Sequence, residues 1–398
     1  MRKDHLLPTP RTLGAGPWRW PHRPPLRVWI WSAATVALVV VAALLWRGSD
    51  AAATESTTAP PADVPSGAPA GAVSEAWSAD GGPLPETVVQ SGRVLVGSEH
   101  GIRALDPVTG EEAWHYTRAN ARMCGLTVID GVAVAAFATA DRCDEAVALN
   151  AGTGVRAWTR SLSLAGDAVL DSTAAIVLAR NPRGLVTLDP IGDSIRWRFA
   201  APEGCRLLAA DAGSTGVAVL QRCGTGDPQV RLLDGFAGTV HWSRDLPVAE
   251  GADVRLLGAD RAVTVLAGDE VLTLDGPDGT VLARLPVPAG TTDVEQVTVD
   301  STSLVRLDGT VSALDASSGA ELWTAPATGL PVASGAVKDP DAPAGLVLPD
   351  GDGFSARDPV TGAETARWAV DGLPADGSAS VIGPVVVLRL EERVVGYR

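Results

Sequence analysis

The stretch Ala104-Leu105-Asp106-Pro107-Val108-Thr109-Gly110-Glu111-Glu112-Ala113-Trp114 recurs along the chain. It returns as Ala148-Leu149-Asn150 with Thr153-Gly154 and Trp158, and as Ala313-Leu314-Asp315 with Gly319 and Trp323. Weaker copies run from Leu188-Asp189 to Trp197 and from Leu233-Asp234 through Gly238 to Trp242. Two copies are degraded: Leu274-Asp275 with Gly279 carries Ala283 in place of Trp, and Asp358 with Thr361-Gly362 has Trp368 two residues late. A two-residue slip keeps a strand side chain on the same face, so Trp368 is expected to fill the same slot. The Asp/Asn anchors fall at 106, 150, 189, 234, 275, 315 and 358, a period of about 42 residues.

Between anchors lie short β-branched runs separated by Gly and Asp turns, such as Val94-Leu95-Val96, Val217-Ala218-Val219-Leu220, Val263-Thr264-Val265-Leu266 and Val385-Val386-Val387-Leu388. Four short strands per period make one β-propeller blade. Glu75-Ala76-Trp77-Ser78 reads as the last strand of a blade, with Trp77 standing 37 residues before Trp114. After the seventh anchor, 385–390 and 393–397 read as the middle strands of a blade that then stops. Joined, the two fragments make an eighth blade, which removes the exposed sheet edges of an open ring. The expectation is an all-β, eight-bladed propeller over 73–398, closed by its N- and C-terminal strands and preceded by one transmembrane helix.

The spacing Ala-x-Asp-x-x-Thr-Gly-x-x-x-Trp resembles the tryptophan-docking repeat of the pyrroloquinoline-quinone-type propellers, the superfamily of quinoprotein alcohol dehydrogenases and of BamB-type outer-membrane assembly lipoproteins. The resemblance covers residues 73–398. It implies that Trp114, Trp158, Trp197, Trp242 and Trp323 stack between neighbouring blades against the Gly of the adjacent repeat, with Trp77 and Trp368 in the same slot. One large ring at a fixed outer-strand position per repeat is also what joining sheets requires. Such a fold hosts both enzymes and scaffolds.

Residues 28–46, VWIWSAATVALVVVAALLW, carry no charge. As a helix they span roughly 28 Å, one hydrocarbon core. Trp29, Trp31 and Trp46 sit near the ends, and Arg27 and Arg47 bracket the run. Six cations precede the span and one follows closely, so a type II orientation is expected, with the N-terminus cytoplasmic and the remainder extracytoplasmic. A cleavable signal ending near Ala51-Ala52-Ala53 is the rival, but the apolar run and its leader are both long for one. No Cys follows the run to serve as a lipoprotein thiol. The tail, 1–27, holds six prolines and is expected to be disordered, and 47–72, rich in Ala, Pro, Ser, Thr and Gly, is expected to be a flexible linker.

The chain of 398 residues has a net charge of −15. The first 49 residues hold seven cations and one acid, which leaves −21 on the rest. A domain so acidic repels a phosphate backbone, so no nucleic-acid partner is expected.

The cysteines are Cys124, Cys143, Cys205 and Cys223. Within each repeat one precedes an inner strand and the other sits in the turn after the second strand, so antiparallel pairing brings them together. Disulfides Cys124–Cys143 and Cys205–Cys223 are expected, the alternative being a four-thiol zinc site that would need CxxC-like spacing. No adjacent cysteine pair, CxxCH haem site or long insertion supports an active quinone enzyme, so no catalytic residue, cofactor or metal site is expected. His100, His115 and His241 read as structural or solvated. Asp350-Gly351-Asp352-Gly353, with Asp339 and Asp341 nearby, reads as a hairpin turn rather than a calcium loop.

The functional expectation is a membrane-anchored, extracytoplasmic scaffold, not an enzyme, that binds a protein or cell-envelope component. The alternative is a quinoprotein-like enzyme or small-ligand sensor using the central channel. The connection into each inner strand and the turn between the second and third strands share one end of the ring. Both expected disulfides lie at that end, so the binding surface is placed around 121–125, 139–144, 203–205 and 222–227, with Arg122, Arg142, Arg206 and Arg222 as contacts.

Overall fold

Each repeat folds from its anchor carboxylate outward. Asp106 Oδ1 accepts hydrogen bonds from the backbone N–H of Val108 and Thr109, both at 2.9 Å. Asp358 does the same for Val360 and Thr361 at 3.0 and 2.7 Å. The side chain closes a tight turn between the third and fourth strands of a blade, which Asp and Asn do better than other residues. The turn ends on a glycine such as Gly154, whose φ of +76° a side chain rarely adopts. A Cβ there would lie 2.7 Å from the Trp114 ring of the preceding blade.

The computed structural model describes residues 26–139, 142–164, 168–173, 175–191, 194–332 and 345–398. Eight sheets follow in chain order, antiparallel within each blade, with Leu330–Pro331 added as a parallel strand beside Ser378–Ile382 of the last. Blade 1 comprises Val89–Gln90, Arg93–Ser98, Gly101–Leu105 and Glu112–Arg118, and blade 2 comprises Arg122–Ile129, Val132–Thr139, Arg142–Asn150 and Arg156–Ser161. Blade 3 runs from Val169–Ser172 to Ile195–Ala200, blade 4 from Cys205–Gly213 to Val240–Asp245, blade 5 from Val254–Ala259 to Val281–Pro286, and blade 6 from Val294–Val299 to Glu321–Pro326. Blade 7 has Leu346–Pro349, Gly353–Arg357 and Glu364–Ala369 among the described residues. Blade 8 is Ser378–Ile382, Val385–Arg389 and Arg393–Tyr397, completed by Glu75–Asp80 from the start of the domain. That last pairing is antiparallel, with Trp77 opposite Gly396, and it closes the ring.

The core lies between blades rather than in one central mass. Leu95, Trp114, Phe137 and Leu149 form one such cluster between blades 1 and 2, and the others repeat it around the ring. Each docking indole donates its Nε1–H to a turn carbonyl of the next blade: Trp77 to Pro107, Trp114 to Ala151, Trp158 to Pro190, Trp197 to Gly235, Trp242 to Gly276 and Trp323 to Pro359, at 2.8–3.0 Å. In blade 5 the slot holds Ala283, opposite Thr273, and the backbone of Leu282 instead approaches Gly319 of blade 6.

Trp368 does not occupy that slot, because Ala366 does, opposite Ala356. It sits two positions along the same face and is buried with Phe354 against Ala379 and Tyr397 of blade 8. Blade 8 has no glycine turn for a ring to stack on. Its third strand, Arg393–Tyr397, and its fourth, Glu75–Asp80, are not joined by a turn and are tied by reciprocal bonds between Ser74 and Arg398 at 3.0 and 2.9 Å.

The segment 54–72 is not the free coil expected for 47–72. Thr54–Ser56 adds a fifth strand to blade 1, with Glu55 opposite Thr117. Ala59 N–H then bonds Thr153 of blade 2, the Arg93 guanidinium bonds the Pro60 carbonyl, and Gly71 bonds Ala369 of blade 7. The strap has enough backbone donors and acceptors to pair with edges the ring leaves open, which a compositional reading of Ala, Pro and Ser cannot reveal. The chain divides into two units, 1–53 and 54–398, so the propeller unit starts before the expected residue 73. The first unit contains the helix Leu26–Arg47, 22 residues long and apolar enough to cross a membrane. The expected tail, 1–27, lies outside the described residues up to 25, and residues 26 and 27 belong to the helix.

Candidate functional site

The inner strands of blades 3 to 6 line a cavity of about 510 Å³ in the central channel. Its mouth is made by first-to-second-strand turns, at 213–216 and 259–261, and by the anchor turn at 234–236. In an antiparallel blade these turns lie at the end opposite the disulfides.

Asp171 of blade 3 and Asp211 of blade 4, 40 residues apart, both point at the Ala212 N–H, with oxygens at 3.0 and 2.9 Å. Asp171 also accepts from Ser172 N–H at 2.7 Å, and Asp211 from Ala259 N–H of blade 5. Each inner-strand carboxyl thus stitches its own blade to the next. Burial within the ring pushes both above the usual carboxylate range, and the neighbouring Asp211 charge raises Asp171 further. Glu86 of the connection into blade 1 faces the pair. The Asp171 charge first, then burial, push it up to about 7, against the pull of Arg389. Arg389 is held by the Pro85 carbonyl at 2.8 Å, and burial lowers its pKa. Three carboxyls so close cannot all ionise, so the group keeps protons near neutral pH. It can hold protons or receive a cation. These residues were missed in the sequence, where the available signal was a charge inside the apolar runs Val169-Leu170-Asp171 and Ala209-Ala210-Asp211, repeated one blade apart.

At the opposite end, Cys124–Cys143 and Cys205–Cys223 are disulfides, and among the described residues no cysteine is free. Cys205 and Cys223 face each other directly across the first two strands of blade 4. Cys124 sits in a bulge of the inner strand of blade 2. Cys143 is not in the turn after the second strand, because that strand stops at Thr139 and Cys143 already lies on the third strand, Arg142–Asn150.

The four expected contact arginines share this end but form two pairs, on blades 2 and 4, with blade 3 between them. Arg142 is exposed and bonded to Asp144 at 3.5 Å. Arg206 and Arg222 are directly opposite each other across the strands of blade 4. Arg122 lies opposite Ala138. Within the expected surface, residues 140 and 141 lie outside the described residues. Asp350 and Asp352 flank a hairpin, with Asp350 bonded to Arg367 at 2.8 Å, while Asp339 and Asp341 lie outside the described residues. His100 bonds the Ala121 carbonyl at 2.9 Å, His115 bonds Glu112 at 2.6 Å, and His241 lies 3.6 Å from Asp234.

A quinone dehydrogenase would need a calcium site and, commonly, a disulfide of adjacent cysteines over the quinone. Both disulfides here bridge strand ends at the rim. Among the described residues no group of three or more His, Cys, Asp or Glu is placed to hold a metal ion. The residues present do not fit that cofactor.

Tryptophan-docked blades closed eightfold through the chain ends define a propeller of the pyrroloquinoline-quinone type. The chain belongs to the family of the outer membrane protein assembly factor BamB, whose model matches residues 43–204, 144–309 and 226–387. No curated protein matches it by sequence. Among solved structures, it is similar in fold to the computationally designed Ika8 protein, at a TM-score of 0.53 and 16% identity over 81% of this chain and 99% of that one. BamB from Moraxella catarrhalis gives a TM-score of 0.47 at 18% identity, covering 82% and 99%. Quinohemoprotein alcohol dehydrogenase from Comamonas testosteroni gives 0.49 at 10%, covering 82% and 76%.

Proposed function

We propose that this protein is a membrane-anchored, extracytoplasmic scaffold, held by one helix in type II orientation, whose disulfide-bearing end docks a protein of the cell envelope. The observation that carries the reading is the pair of disulfides at the same end of blades 2 and 4. Each ties the start of an inner strand to another strand of its own blade at that end, so the loops lose little freedom when a partner binds. Arg122, Arg142, Arg206 and Arg222 lie on that surface. Membership in the BamB family supports the scaffold class. The outer-membrane role in that family's name does not follow for a chain anchored by a helix.

Protease added to intact, wall-stripped cells tests the anchor and orientation. Cleavage is expected within 48–53, ahead of the strap strand, releasing a propeller that keeps 54–398. A protected propeller would overturn the orientation, and a soluble protein recovered from the medium and starting near Thr54 would overturn the anchor. The second reading, a small cationic ligand in the channel, is favoured by the carboxyl-lined cavity. It predicts a ligand-dependent rise in melting temperature that Asp171→Asn abolishes.

A further inference from the structure

We infer that the arginines at the disulfide end of blades 3 and 4 form a docking row for an acidic, carboxylate-rich segment of the partner protein. The inference rests on the scaffold reading and names the chemistry of its contact. Arg206 and Arg222 are direct cross-strand neighbours beside the Cys205–Cys223 bridge. Like charges directly opposite each other destabilise a sheet. The described residues give neither guanidinium an ion-pair partner, and Arg222 Nε has no hydrogen-bond acceptor.

Blade 3 extends the row. Its second strand, Val177–Asn181, carries Arg180 next to its end, whose Nε also lacks an acceptor, and the following turn exposes Arg183. That turn lies against blade 4, because the Pro182 carbonyl accepts the Leu207 N–H at 3.1 Å. Glu203 and Asp227, in the flanking turns, are exposed and make no ion pair with these four arginines.

Other arginines at this end do have carboxylate partners. Arg118 is bonded to Glu145 at 2.7 Å and Arg142 to Asp144 at 3.5 Å. Arg306, almost fully buried, is bonded to Asp293, Glu295 and Asp376 at 2.5, 2.8 and 3.2 Å. A domain of net −21 has carboxylates to spare, yet four neighbouring guanidiniums on two adjoining blades have none. Guanidinium forks match carboxylates bidentately, and a row along strand ends and one turn, rather than a pocket, suits an extended chain with acids at successive positions. The exposed Glu203 and Asp227 beside the row repel an acidic segment that docks out of register.

The test uses the full-length protein in detergent and a fluorescent twelve-residue oligoglutamate peptide, with oligolysine as control, read by anisotropy at low and physiological salt. Saturable oligoglutamate binding is expected, weakened at least tenfold in Arg206→Gln/Arg222→Gln and severalfold in Arg183→Gln, which lies on an exposed turn. Arg284→Gln, bonded to Glu270 on blade 5, is expected to bind as wild type. Melting temperatures confirm that each variant is folded. Absent oligoglutamate binding at low salt, or binding unchanged in folded variants, overturns the proposal. Binding to phosphatidylglycerol vesicles that is lost in the variants, without peptide binding, overturns it in favour of a lipid surface. If peptide binding fails while a protein still crosslinks to this end in cells, only the contact chemistry falls; if the peptide binds but no protein crosslinks, the scaffold reading falls.

Discussion

Trp114→Ala tests the joint between blades at its tightest point. The ring is fully buried between blades 1 and 2, its Nε1–H is bonded to the Ala151 carbonyl at 3.0 Å, and its face lies on Gly154. An aromatic ring of this kind buries roughly 150–250 Å², which at about 25 cal/mol per Å² is worth about 4–6 kcal/mol. Partial collapse of the site brings the cost toward the roughly 3–5 kcal/mol usual for Trp→Ala. The orphaned Ala151 carbonyl, itself buried, adds about 1 kcal/mol. The expected loss is therefore about 4–6 kcal/mol, read as a fall in the denaturation midpoint of the released propeller in guanidinium chloride. Trp114→Phe keeps most of the area and is expected to lose about 1–2 kcal/mol. Gly154→Ala, with its φ of +76° and a methyl driven into the ring, is expected to lose at least roughly 1–3 kcal/mol. A loss under about 1 kcal/mol for Trp114→Ala, where the fully buried ring predicts several, would refute the docking account.

Blade 5 lacks its tryptophan, so hydrogen exchange is expected to open the junction of blades 5 and 6 before the others, and uniform protection around the ring would contradict this. Stability is expected to depend on pH from both sides. Glu86, folded at about 7 against an ordinary 4.5, loses stability as pH rises through that interval, because the unfolded chain ionises first. Asp315, held at about 2 by the Ser317 and Ser318 hydroxyls, contributes stability above its ordinary 3.8 that is lost as pH falls toward 2. Melting temperature against pH is expected to fall between pH 5 and 8, and Glu86→Gln to flatten that fall. Reduction is expected to cost about 3 kcal/mol for each bridge, whose partners are 19 and 18 residues apart, and thiol labelling of all four cysteines in the native protein would contradict the bridges.

The architecture was legible because a propeller writes its period into the sequence. The anchor Asp makes the turn, the Gly admits the ring, and both must recur once per blade. The closing strand around Trp77 was legible for the same reason, since the first and last fragments each lacked what the other supplied. The strap was not, because Thr54-Glu55-Ser56 pairs through backbone atoms and carries no apolar pattern. Nor was the displacement of Trp368, which depends on what the next blade offers and not on its own repeat. The channel carboxyls escaped because a single Asp in an apolar run looks like a solvent-facing residue until the ring turns that face inward. Among the arginines, sequence placed Arg206 and Arg222 at one end, but only the register showed them opposite each other, and only the Leu207–Pro182 backbone bond brought the turn of Arg183 against their blade.

The scaffold claim is tested most directly by site-specific photo-crosslinking in cells. A crosslinking residue is placed at Thr225, between Cys223 and Asp227 at the disulfide end, and in a second strain at Pro277, on the anchor turn at the opposite end. Mass spectrometry of full-length protein is expected to show one envelope protein crosslinked from Thr225, absent from Pro277 and lost when Arg206 and Arg222 are replaced by Gln. Crosslinks from Pro277 alone, or none from Thr225, would contradict the scaffold account, whereas a Thr225 crosslink unchanged by those replacements would overturn only the arginine contact.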